Sequence, residues 1–152
     1  MSSVTRIVNT TPDRVWEVLS DGWLFPLWVV GAARIRDVDE TWPEVGSCIH
    51  HSVGVWPALI NDDTEVLEQQ PSRLIRLQAS AWPLGKAHVT ISLTATGSHT
   101  EVVIDEQATS GPGAVVPDAL IAPVLNWRNV ETLRRLAFIA ERRPSQLPSN
   151  RS

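Results

Sequence analysis

Apolar residues recur along this chain with two different periods, and the switch between them sets out its elements. Val4 to Val8 form a short β-type run. Val15, Trp16, Val18 and Leu19 then fall at helical spacing behind Thr11-Pro12-Asp13, which supplies an N-cap candidate, a proline suited to a first helical turn and an acid that favours a helix N-terminus. Ser20-Asp21-Gly22 stops or re-caps that helix. A second short helix is expected from Trp23 to about Val30, with Leu24, Leu27 and Trp28 on one face and Pro26 keeping it brief or distorted.

From Ala33 onward the period becomes two. Alternation shows at Ile35 and Val38, at Ile49, His51 and Val53, at Thr64, Val66 and Glu68, and at Ile75, Leu77, Ala79 and Ala81. It is clearest where Ala87, Val89, Ile91, Leu93 and Ala95 interleave with Lys86, His88, Thr90, Ser92 and Thr94, a strand with one wet face. Val102 and Ile104 continue the pattern after Gly97-Ser98. Short links rich in Gly, Pro, Asn or Asp join these strands, so successive ones pair most easily as an antiparallel meander.

One face of such a sheet must be covered. The segment long enough to do so comes last: Val124, Trp127, Val130, Leu133, Ala137 and Ala140 form a stripe flanked by Leu125, Leu136 and Ile139. Glu131, Arg134, Arg135, Glu141 and Arg142 supply the opposite, solvated side. Pro117 and Pro123 confine the regular helix mainly to the residues after Pro123, which leaves Gly111 to Ala122 as a linker or bent first turn. The fold class expected is α+β, with about six to seven antiparallel strands curved around a long C-terminal helix and two short helices after the first strand. Residues 1–143 make one domain, and a polar tail from Pro144 is expected to be disordered.

Composition narrows the function classes. The chain has 152 residues, 43% of them hydrophobic and 20% charged, which suits a globular domain. A net charge of -4 without a basic stripe argues against nucleic acid as a partner. The one cysteine, Cys48, cannot form an internal disulfide, and no secretion signal is recognisable, so a cytoplasmic location is expected. No apolar stretch approaches the ~20 residues that span a bilayer, so the domain is not expected to be integral to a membrane. There are seven Trp and no Tyr. Trp buries a large, rigid area and keeps one N–H donor, which suits both cores and pocket walls.

The order of elements, with Thr11-Pro12-Asp13-Arg14-Val15-Trp16-Glu17-Val18-Leu19-Ser20-Asp21 and the later Trp28, resembles the START-like superfamily, also called SRPBCC or polyketide cyclase/dehydrase-like, whose fold the birch-pollen allergen shares. Trp42-Pro43-Glu44-Val45-Gly46-Ser47 carries a glycine leading into a strand, as that superfamily usually has, and Arg128-Asn129 to Glu141 looks like its closing helix. The resemblance covers nearly the whole chain and implies a helix-grip fold with a cavity between sheet and helix. Which ligand occupies it must come from the site.

Trp28, Trp127 and the strand-end Trp56 and Trp82 are the expected walls of that cavity. His51 shares parity with Ile49 and Val53 and is the inward candidate of the His50-His51 pair, able to hydrogen-bond a ligand or shuttle a proton. Arg128, beside Trp127, is also expected to bind the ligand, and a buried Arg would need a carboxylate partner. Asp105 or Glu106 on the last strand could supply it, and Glu106 shares parity with Val102 and Ile104. Cys48, His50 and His51 do not make a zinc pattern, and neither metal nor cofactor is expected. The signatures of nucleophilic hydrolases, phosphate loops and dinucleotide sites are missing. The leading function is binding of a small hydrophobic molecule such as a lipid, polyketide or aromatic metabolite. The resemblance implies a cyclase or dehydratase with His51 as acid or base as the alternative, and a regulatory protein-interaction module is a third. A homodimer stays open as a state of assembly.

Overall fold

The computed structural model describes residues 2–30, 34–53, 60–80 and 85–142. The expectations for Trp56, Trp82 and the tail from Pro144 lie outside the described residues. The elements in chain order are β1 (Ser2–Val8), α1 (Pro12–Leu19), a single 3-10 turn (Gly22–Leu24), α2 (Phe25–Trp28), β2 (Arg34–Val38), β3 (Cys48–Val53), β4 (Ile60–Gln70), β5 (Leu74–Ser80), β6 (Lys86–Thr96), β7 (His99–Ser110), α3 (Pro112–Val115) and α4 (Asp118–Arg142). All pairings are antiparallel, in the order β1-β7-β6-β5-β4-β3-β2. Six strands run as the expected meander, and β1 returns to pair with the last of them.

Local chemistry explains the early elements. Thr11 is extended, Pro12 sits in the first turn of α1, and Asp13 follows at the positive end of the helix, where its carboxylate accepts from Ser72 Oγ at 2.6 Å. The Ser20 N–H closes α1 on Trp16 O at 2.8 Å. In α2 the buried side chains are Phe25 and Trp28, while Leu27, expected on the buried face, is 59% exposed. Leu24 falls in the preceding 3-10 turn and α2 is only four residues long, so Leu24, Leu27 and Trp28 do not share one helical face.

Bulges bend the sheet and settle where simple alternation fails. The register shifts between Ile35 and Asp37, so Ile35 and Val38 both pack on the core although they stand three apart. A second shift between Val66 and Glu68 sends Glu68 out to face Arg76, at 3.8 Å, instead of continuing the inward row of Thr64 and Val66. At the start of β6, Gly85 has φ +103, and a Cβ there would lie 1.9 Å from the Ser110 carbonyl oxygen, so only glycine lets the chain pass this close to the end of β7.

Helix α4 begins at Asp118 and carries Pro123 inside it, earlier than the prolines suggested, and α3 occupies part of the expected linker. Its buried residues are Asn129, Thr132, Leu133, Leu136, Ala137 and Ala140. The expected stripe through Val124, Trp127 and Val130 is instead exposed at 63%, 69% and 50%. At 3.6 residues per turn each step of three rotates the side-chain direction by about 60°, so three steps carry Val124 to the side opposite Leu133. The core combines this helix face with Val8, Val15, Val18, Ile49, Val66, Ile75, Ile91 and Val102, all at most 1% exposed.

Candidate functional site

Strand β3 places two adjacent histidines on opposite faces of the sheet. His51 points inward and is 5% exposed. Its Nε2 lies 2.9 Å from Thr64 Oγ1 on β4, whereas its Nδ1 is buried without a partner. Burial holds its pKa below the usual histidine value, so the ring is neutral at neutral pH, and the Thr64 hydroxyl can donate to it or accept from it. Phe25 stacks over His51 with 6.4 Å between ring centroids and meets Trp28 edge-on at 5.2 Å. Trp28 is 3% exposed, and its indole N–H, like His51 Nδ1, is buried without an acceptor. Two orphaned polar atoms thus flank one phenyl ring in an apolar interior, each a loss of about 1–3 kcal/mol unless something else satisfies it.

The strands beside His51 and Thr64 carry small side chains on the same face. Thr64 stands opposite Ala79, Ala79 opposite Ala87 and Ala87 opposite Ala108, a row of small side chains across β4 to β7. Ala79 and Ala108 are half-buried rather than sealed. The neighbouring row runs Val66, Leu77, Val89 and Glu106. Glu106 is 3% exposed, and its carboxylate accepts from Arg128 Nη2 on one oxygen and from Asn129 Nδ2, at 2.9 Å, on the other. Directly opposite Glu106 on β1, Ser2 Oγ donates to Asn126 Oδ1 at 2.5 Å, and Thr132 Oγ1 accepts the Val30 N–H at 3.3 Å. A polar seam along α4 therefore fastens the helix to β1, β7 and the segment after α2.

Of the residues singled out in the sequence, His51 and Trp28 come together around Phe25. Arg128 meets Glu106, the partner its burial called for. Trp127 does not line the interior: it belongs to the face of α4 turned to solvent. Phe25, Thr64, Asn129 and the alanine row were missed. Strand parity with His51 and the strand pairing could have found Thr64 and the alanines, but nothing in the local sequence marks Phe25 or Asn129.

On the outer face, His50 sits between two carboxylates. Nδ1 is 2.7 Å from Asp63 on β4, and Nε2 is 2.8 Å from Asp39, just past β2. Only the doubly protonated ring can donate to both. The Asp39 and Asp63 bonds raise the His50 pKa, and His50, with the Cys48 N–H, lowers that of Asp39. Because the folded pKa of His50 lies above its unfolded value near 6.5, its contribution to stability is fully present below that pH and fades as pH rises through the folded value. In urea titrations from pH 6 to 9, His50→Ala should be less stable than the parent by at most about 1 kcal/mol at pH 6, with the gap closing toward pH 9. A gap that widens with pH would contradict the clamp.

An open concavity of about 850 Å3 lies elsewhere, between α1, the 3-10 turn and β2, rimmed by Glu17, Asp21, Asp37, Asp39 and Glu40. These five carboxylates share its lining with Trp23, Val38 and Trp42. Among the described residues no group of three or more His, Cys, Asp or Glu side chains is placed to hold a metal ion, and no helix is long and apolar enough to cross a membrane.

A curved seven-stranded antiparallel sheet gripping a long C-terminal helix, with a partly polar interior between them, defines the helix-grip class of α+β proteins. The chain belongs to the family described as polyketide cyclase / dehydrase and lipid transport, whose model matches residues 2–141. Its fold is similar to that of a protein from Chromobacterium violaceum, at 19% identity and TM-score 0.66 over 94% of this chain and 97% of that one. It is also similar to the di-domain ARO/CYC StfQ from the steffimycin biosynthetic pathway, at 17% identity and TM-score 0.70, and to DynU16 of the dynemicin biosynthetic locus, at 22% and 0.64. It covers 91% and 93% of this chain in these two comparisons and spans about half of each of those longer chains, 49% and 47%. No curated protein matches the sequence.

Proposed function

We propose that this domain binds a small, predominantly apolar molecule between the concave face of the sheet and helices α2 and α4. The observation that carries the reading is the pair of buried, unpartnered polar atoms, Trp28 Nε1 and His51 Nδ1, on either side of Phe25 and beside the alanine row. Apolar binding sites commonly hold a few polar groups that fix orientation. A ligand oxygen reaching the Trp28 N–H would satisfy its unmet donor, and Phe25 and the alanine row would cover the apolar body. The family supports the same reading, since its description joins lipid transport with cyclase and dehydrase activity.

A thermal-shift titration with 2-acetylnaphthalene tests this, together with native mass spectrometry of the purified chain for a retained small molecule. A ligand that binds only the folded state at 100 times its Kd adds about 2.7 kcal/mol of stability, a shift of several degrees. Trp28→Phe keeps an aromatic side chain but removes the N–H donor with the five-membered ring that carries it, and should weaken binding about tenfold. A protein that retains nothing and whose melting ignores the ketone would contradict the proposal.

The catalytic reading uses the same atoms. In this reading a neutral His51, hydrogen-bonded to Thr64, accepts a proton from a bound molecule or donates one to it. His51→Ala separates the two readings: it abolishes turnover while sparing binding if the domain is an enzyme, and changes binding alone if it is not.

A further inference from the structure

We propose that this interior site selects uncharged, oxygen-bearing molecules and rejects carboxylates. The inference rests on the binding reading above and adds the charge of the ligand.

Three observations converge on it. First, the two unpartnered groups are suited to neutral oxygens. The Trp28 indole can only donate, and His51 Nδ1 donates or accepts according to which way the Thr64 hydroxyl turns, so a carbonyl and a hydroxyl are both met. Second, among the described residues the buried ionisable side chains are His51 and Glu106. The interior therefore holds one carboxylate, one row of residues away from the alanine row, and that carboxylate is already paired with Arg128 and Asn129. Third, among the described residues no buried cation is spare to compensate. The Arg128 guanidinium that could bind an anion is drawn onto Glu106, and burial keeps His51 uncharged. A carboxylate moved into such surroundings loses its hydration without gaining a counter-charge, whereas a ketone loses far less and gains the Trp28 N–H.

The test compares three molecules with the same ring system, titrated into the full chain at pH 7.5: 2-acetylnaphthalene, 2-ethylnaphthalene and 2-naphthoate. The ketone should bind tightest, the hydrocarbon about three- to tenfold more weakly, and the carboxylate at least tenfold more weakly than the ketone. In Trp28→Phe the ketone should lose its advantage over the hydrocarbon, a ratio that stays readable if the variant is less stable. Naphthoate binding as tightly as the ketone would overturn the rejection of carboxylates. Equal affinity for ketone and hydrocarbon in the parent would overturn the selection for oxygen. Failure of all three to bind saturably would overturn the underlying reading of the interior as a binding site.

Discussion

Replacing Arg128 by methionine is expected to destabilise the fold by about 3 kcal/mol at neutral pH, the range seen when one partner of a buried ion pair is removed. The two partners are unequally buried: the Glu106 side chain is 3% exposed and that of Arg128 is 31% exposed. Losing the guanidinium strands a carboxylate in the interior with Asn129 as its remaining donor. Losing the carboxylate leaves an Arg that can turn to water. Glu106→Gln should therefore cost less, about 1 kcal/mol, since the amide oxygen still accepts from Asn129. Adding Glu106→Gln to Arg128→Met should restore part of the loss, because the stranded charge goes with it. Urea unfolding of the four proteins measures all of this. A change below about 1 kcal/mol in Arg128→Met would mean that the pair does not hold α4 to β7.

The second large effect is expected along the same helix. Leu136 is fully buried among residues of the sheet and α1, and Leu136→Ala should cost about 3 kcal/mol, as core truncations that leave a cavity do. Trp127→Ala, although it removes a far larger side chain, should change stability by no more than about 0.5 kcal/mol, because Trp127 is 69% exposed. The reverse order in thermal or urea unfolding would show that the helix grips the sheet by its other face.

That contrast marks how much the sequence reveals. Period-two alternation through Ala87 to Ala95 and the turn residues between strands were enough for the meander. Among the described residues the 25-residue α4 is the longest helix available to cover it. The face of that helix was misread because its inward side is partly polar. Asn129 and Thr132 sit on the core side to fasten the helix to Glu106 and to the segment after α2, while Trp127 and Val124 are left outside, so hydrophobicity pointed to the wrong face. Parity placed His51 and Glu106 inward because β3 and β7 are regular at those positions. It failed at Glu68, where a bulge that no local residue announces moves the side chain to the other face. His51 and Trp28 were legible singly, as an inward polar group and a large aromatic. Their meeting around Phe25 was not, since it depends on how α2 lies against β3, a contact between segments more than twenty residues apart.

The two adjacent histidines illustrate the same dependence on the fold. Alike in sequence, they acquire opposite shifts: carboxylates on both sides raise the pKa of His50, and burial lowers that of His51. Acid therefore favours the outer clamp and disfavours the neutral inner ring.

The most direct test of the account is the indole N–H resonance of Trp28 in a 15N-labelled sample, assigned by its loss in Trp28→Phe, while 2-acetylnaphthalene is added. The account predicts that this resonance shifts downfield and saturates as the N–H gains an acceptor, with those of the exposed Trp23 and Trp127 little changed. Saturable binding that moves only the exposed indoles and leaves Trp28 where it was would contradict the interior site.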